Sequence, residues 1–208
     1  MSTPMSSDDF ARARRALMRR DPILAPVIRK HKHRTILDTP AMDPFSALVR
    51  TITSQQLSTK AAATIHRRIL ELMPGGVATP QAIEQTTDEQ LRAAGLSRQK
   101  IAYVRDLARH ASTGDLPLQS LNALSDDDVI DAITRVKGLG RWSAEMFLMF
   151  RLHRADVLPV DDLGIVVAVQ RLYGLRKRPK PDRLRRIAEP WRPYRTVACW
   201  YLWRSLES

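Results

Sequence analysis

Val136-Lys137-Gly138-Leu139-Gly140-Arg141-Trp142-Ser143-Ala144 is the stretch from which the rest of the chain is read. Upstream of it, Val129, Ile130, Ile133 and Val136 recur at helical spacing behind Ser125 and three aspartates. Downstream, Ala144, Phe147, Leu148 and Phe150 furnish the apolar side of a second helix. Residues 125 to 153 thus read as helix, tight turn, helix. Glycine at 138 and 140 permits positive φ and removes two Cβ atoms, so the amides of Gly138, Leu139, Gly140 and Arg141 can face outward where the second helix's dipole favours an anion. Leu139 is expected to point inward and pin the two helices together. The same residues also suit an ordinary helix connection, in which glycine is common.

Working outward, the dominant apolar period is helical, and no run alternates apolar with polar residues long enough for a strand. The pattern predicts an all-α protein of about ten short helices. Starts are expected at Ser7, Asp43 with Pro44, Ser58, Thr79 with Pro80, Thr87 with Gln90, Ser97 and Ser125. Stops are expected at Pro74-Gly75-Gly76, Gly95, Gly114, Gly138, Gly174 and Pro190. Two lobes follow: a central helical bundle over residues 49–157 that holds the hairpin, and a second lobe in which N-terminal helices over 1–48 pack with residues 158–208.

The 208 residues are 44% apolar, enough for a sizeable core, and carry 34 Lys and Arg against 22 Asp and Glu, a net charge of +12. Basic residues gather in 12–34 and in 176–195. Single members of such runs are commonly solvated helix faces, but their sum favours a polyanionic partner, nucleic acid before an anionic membrane. No stretch reaches a membrane-spanning length and the N-terminus does not read as a signal peptide, so an intracellular, cytoplasmic protein is expected. One cysteine, Cys199, excludes an internal disulfide and a Cys-based zinc or iron-sulfur site. His31-Lys32-His33 reads as a solvated basic linker, and no metal site is expected.

Leu158-Pro159-Val160-Asp161-Asp162 follows the hairpin. By their residue types alone, the two aspartates read as caps for a helix over 163–173. A carboxylate there can also lie against a sugar of a strand held at the hairpin.

These segments resemble the helix-hairpin-helix-GPD superfamily of DNA glycosylases. Val136 to Ala144 is similar to its Leu-Pro-Gly-Val/Ile-Gly-x-x-Thr-Ala hairpin, with Lys137 for the Pro, and Pro159-Val160-Asp161-Asp162 to its Gly/Pro-rich stretch and aspartate. Gly140 to Ala144, Leu158 to Asp162 and Trp191-Arg192-Pro193-Tyr194-Arg195 resemble most the bacterial DNA-3-methyladenine glycosylase II branch, over roughly residues 10 to 206. Gly164, early in the helix after the aspartate, is a departure.

The resemblance implies a catalytic carboxylate at Asp162, twenty positions after Trp142, with Asp161 as the helix N-cap. It implies a monofunctional enzyme that uses water, because Trp142 occupies the position where a Lys would form a Schiff base, and Lys137 lies upstream of the turn. The hairpin Gly138, Leu139, Gly140 and Arg141 would hold a DNA phosphate. Gln56, or Leu57 beside it, would fill the gap left by an extruded nucleotide, although from residue type alone Gln56 is equally a turn residue and Leu57 core. Trp142 and Trp203 would line the base pocket with Met146, which replaces a family aromatic; an aromatic face suits a cationic base. Trp200 or Tyr201 is expected in the core.

The implied function is removal of alkylated purines, 3-methyladenine foremost and 7-methylguanine second, from double-stranded DNA for base excision repair, by a monomer without a cofactor. Some family hairpins hold a monovalent cation on backbone carbonyls, to which the side chains here say nothing. A glycosylase for oxidised or mismatched bases and a non-catalytic helix-hairpin-helix DNA binder remain the alternatives.

Overall fold

The computed structural model describes residues 4–39 and 42–207. Among them lie twelve α-helices and four short 3-10 turns. The helices are α1 (Ser7–Arg20), α2 (Ala25–Lys30), α3 (Pro44–Ser54), α4 (Thr59–Glu71), α5 (Pro80–Gln85), α6 (Asp88–Ala93), α7 (Arg98–Thr113), α8 (Asp126–Thr134), α9 (Arg141–Phe150), α10 (Leu163–Leu172), α11 (Pro181–Ile187) and α12 (Arg195–Arg204). No strand occurs among the described residues, and the all-α class stands.

Side-chain oxygens set the starts, as the sequence predicts. Asp43, Ser58, Thr79, Thr87, Ser97 and Ser125 each accept an amide from the first turn that follows, and Thr87 with Gln90 closes a full capping box. The first helix is the exception: Ser6, not Ser7, is its cap. Three residues after Ser6 comes Asp9, whose carboxylate takes the Ser6 amide at 3.1 Å while the Ser6 hydroxyl takes the Asp9 amide at 3.2 Å. Three residues after Ser7 comes Phe10, which cannot reciprocate. Acidic Asp8 and Asp9 in its first turn and Arg19 and Arg20 in its last match the helix dipole at both ends.

The chain divides into two compact units, one of Ala41–Phe147 and one of Ser2–Pro40 with Leu148–Ser208. The segment starts expected at 49 and 158 are thus corrected to 41 and 148. The first moves because α3 begins at Pro44 and lays Phe45, Leu48, Val49 and Ile52 into the first unit's core. The second moves because Leu148 and the residues after it pack within the second unit.

In the first unit α7 is central, with α3, α5 and α6 packed on it and α4 on α3. Its Ile101, Val104, Leu107 and Ala108 are buried, and Leu48, Ile52, Ile69 and Ile83 are fully covered. In the second unit α12 is buried on every side from Thr196 to Leu202, between α1, α2 and α10. Phe10 of α1 meets the Trp200 ring edge-on at 6.1 Å, so Trp200 and Tyr201 are core, and Cys199 is buried beside them.

A buried carboxylate, Asp21, ties that unit together. It accepts the amides of Ile23 and Leu24 at 3.0 and 2.9 Å, the Trp191 indole N–H at 2.6 Å and the Tyr173 hydroxyl. Burial first, and then the bond and charge of Asp21, push the Tyr173 phenol well above its ordinary range. The charges divide unequally: the second unit holds 22 Lys and Arg against 10 Asp and Glu, the first 12 against 12.

Candidate nucleic-acid interface and catalytic residues

The hairpin joins α8 to α9 through Arg135–Gly140. Gly138 has φ +82° and a reason to lack a side chain beyond its backbone, because a Cβ there would lie 2.2 Å from the Tyr103 ring. Gly140 has neither constraint: its φ is not positive, and a Cβ would meet nothing within 4 Å. Leu139 is buried, as expected. Its amide is engaged with the Val136 carbonyl at 3.1 Å and the Lys137 amide with Asp106 Oδ2 at 2.8 Å, so Leu139 is removed from the set of outward amides that the sequence suggests. Arg141 opens α9 exposed and reaches Glu145 at 3.2 Å one turn on.

Trp142, next along α9, is 47% exposed, an unusual state for the largest apolar side chain. Met146, one turn further, is half-buried. Gln56 and Leu57 lie in the turn between α3 and α4, and both are exposed, Leu57 at 40%. Leu57 is therefore not core. Gln56 has φ +58°, a left-handed conformation uncommon outside glycine. Gln56, Gly138 and Trp142 all line one cavity of about 500 Å³ with Gln55, Lys100 and Tyr103. Leu57, Leu139 and Met146 are not in its wall.

Asp162 lies in the second unit and is only 8% exposed. It is the N-cap of α10, its Oδ1 accepting the Ile165 amide at 2.8 Å and the Trp203 indole N–H at 2.9 Å. The division of labour expected between the two aspartates is thereby corrected. Asp161 is exposed and Asp162 does the capping, because Asp162 directly precedes the first helical residue, Leu163, and so reaches the third amide of the helix, that of Ile165.

Trp203 has a use that residue type did not disclose. One side of its ring stacks on Phe150 at 5.7 Å and 26°, and its N–H holds the carboxyl group. Gly164 makes room for that bond: a Cβ would stand 2.9 Å from Trp203 Cδ1 and 3.1 Å from Asp162 Oδ1. The departure noted in the sequence at Gly164 is a requirement of this packing.

Four other residues escaped the sequence reading. Lys100 donates to the carbonyls of Thr53 and Gln55 at 2.6 and 2.7 Å, and Gln55 Nε2 donates to the Gly138 carbonyl at 2.7 Å. Tyr103 and Asp106 follow Lys100 on α7 at three-residue steps and touch the hairpin. The signal available was a polar residue, Asp106, interrupting the apolar face of Ile101, Val104 and Leu107.

The glycine hairpin followed by an aspartate that caps the next helix is the arrangement to set beside known proteins. Residues 49–193 match the family of HhH-GPD superfamily base excision DNA repair proteins, and the chain belongs to that family. It is 37% identical to DNA-3-methyladenine glycosylase 1 of Schizosaccharomyces pombe over 78% of this chain and 72% of that one. The solved structure of the S. pombe 3-methyladenine DNA glycosylase in complex with abasic DNA superposes with a TM-score of 0.83 at 33% identity, covering 93% of this chain and 96% of that one. A DNA-3-methyladenine glycosidase from Bacillus halodurans gives 0.80 at 38% identity, over 91% and 86%.

Proposed function

We propose that this chain is a DNA-3-methyladenine glycosylase, a hydrolase that releases alkylated purines, 3-methyladenine and then 7-methylguanine, from double-stranded DNA inside the cell. The observation that carries the assignment of Asp162 is its restraint: one carboxyl oxygen is held by two N–H donors at the start of α10, so its orientation does not depend on substrate. The names of the similar proteins support the substrate class.

In the reaction the bond between C1′ and the purine nitrogen breaks, its electron pair leaves with the base, and the sugar becomes cationic. The Asp162 carboxylate stabilises that cation; water adds its oxygen to C1′ and gives up a proton to the carboxylate or to solvent. A purine alkylated at N3 or N7 is already cationic and departs neutral, so no acid is required at the leaving group. Trp142, exposed on α9, and Trp203, beside the Asp162 carboxyl group, each carry a π face of the kind that attracts a cationic base, worth about 0.5–2 kcal/mol. The hairpin holds a strand phosphate through the amides of Gly138, Gly140 and Arg141, and Gln56 fills the space of the extruded nucleotide. Met146 borders the base.

Release of base from methylated duplex DNA is the direct test. Asp162→Asn is expected to abolish release while duplex affinity and thermal stability persist, since Asn still caps a helix. Release at the wild-type rate would remove Asp162 from the mechanism. Borohydride treatment during turnover should trap no covalent adduct, because Trp142 offers no amine; a trapped complex would establish lyase chemistry. Excision of 8-oxoguanine in place of alkylpurines would overturn the substrate assignment.

A further inference from the structure

We infer that Lys100 and Gln55 are positioning residues that lock the turn bearing Gln56 to the hairpin, so that insertion into the duplex and the grip on the phosphate act in fixed register. The inference rests on the role proposed above for Gln56.

The last carbonyls of a helix have no partner within it and carry its negative dipole end. In α3 two of these, or their immediate successors, are taken by a cation from another helix: Lys100 Nζ sits 2.6 Å from the Thr53 carbonyl and 2.7 Å from that of Gln55. The next residue, Gln56, is held at φ +58°. A left-handed non-glycine residue costs about 1–3 kcal/mol and persists only where its surroundings over-determine it. Here they do: Lys100 fixes the carbonyl before Gln56, and the Leu57 amide after it bonds to the Ser54 carbonyl at 3.2 Å. The Gln55 side chain meanwhile anchors the turn to the Gly138 carbonyl at 2.7 Å.

The hairpin is fixed by the same face of α7. One step beyond Lys100, Tyr103 packs against Gly138 so closely that no Cβ fits; one step further, Asp106 accepts the Lys137 amide at 2.8 Å. Residues 100, 103 and 106 form a strut with the Gln56 turn at one end and the hairpin at the other. Desolvation holds the Lys100 ammonium below its ordinary pKa.

The test compares two duplexes carrying the same alkylated purine, one with the lesion fully paired and one with it opposite an abasic site, where little opening is left to do. Lys100→Met keeps the stem and removes the donors. The paired-to-unpaired ratio of single-turnover release rates is expected to fall about tenfold, an extra barrier of about 1.4 kcal/mol on the paired substrate only. Gln56→Ala should lower the ratio likewise, and the double variant should be no worse than Gln56→Ala alone, since both act on one step. Lys100→Arg, which still donates to two carbonyls, should recover part of the ratio. An unchanged ratio in Lys100→Met, or equal losses on both duplexes, overturns the inference. If the wild type releases no base from either duplex, the proposed function fails instead. The strut is then read from 2-aminopurine fluorescence in a fully paired duplex, where Lys100→Met must reduce the protein-induced rise and an equal rise refutes it.

Discussion

Gly164 shows how tightly the Asp162 carboxyl group is specified. Its backbone is ordinary, so Ala should favour the helix by up to about 1 kcal/mol, yet the added carbon would press on Trp203 and Asp162 at 2.9–3.1 Å. Gly164→Ala is therefore expected to lower the base-release rate by at least about tenfold with little change in melting temperature. Unchanged kcat would mean that the indole and the carboxyl group yield without consequence. Trp203→Phe keeps the stack on Phe150 and deletes the N–H bond to Asp162. It should reduce kcat while leaving affinity for abasic DNA, which has no base to stack, near that of the wild type; a loss confined to abasic-DNA binding would contradict the orienting role. None of this was legible in the sequence beyond Asp162 itself: Trp203 comes 41 residues later, and that separation does not reveal a hydrogen bond.

At the scale of elements, the two hairpin glycines separate stability from binding. Gly138→Ala meets both a positive φ, costing about 1–2 kcal/mol, and the Tyr103 ring, so thermal denaturation should show marked destabilisation. Gly140→Ala meets nothing within 4 Å and should hold stability to within about 1 kcal/mol; if the hairpin holds a phosphate as proposed, the added Cβ should weaken duplex binding. Equal stability losses in both would refute the distinction. The hairpin also has an acid sensitivity. Burial would raise the Asp106 carboxyl, but the Lys137 amide, the Arg109 bond and the His110 and Arg109 charges outweigh it and hold the group below its ordinary 3.8. A depressed folded value means stability that is complete above about pH 4 and is lost as pH falls through the folded value. Asp106→Asn should flatten that part of the acid-denaturation curve; an unaltered curve would show that Asp106 contributes nothing to it. Helix starts were readable because a cap and its amide are three residues apart. The two misplacements, Ser7 for Ser6 and Asp161 for Asp162, arose where adjacent residues of one type competed and only the register of the first turn chose between them.

For the molecule as a whole, charge is the property that most constrains its partner. The hairpin-bearing unit is neutral, and the net charge of +12 resides in the other. Arg176, Lys177 and Arg178 are exposed within it. Replacing all three with Ser should weaken binding to undamaged duplex and flatten the dependence of log K on log salt, by about 0.9 for each phosphate left without its cation. A slope equal to that of the wild type would show these cations to be merely solvated. The sequence disclosed the uneven distribution, but the meeting of the two terminal segments, as in the Arg34 to Glu207 pair at 2.8 Å, is a product of folding.

The sequence alone determined the helical class, most helix starts, the glycine hairpin and the polyanionic bias, because each depends on residue type or on neighbours within one helical turn. Only the tertiary structure decided that Asp162 meets Trp203, why residues 138 and 164 are glycine, and that Lys100 holds carbonyls 45 and 47 positions away. These depend on atoms meeting within 3 Å after long loops have closed, and no local periodicity records that meeting.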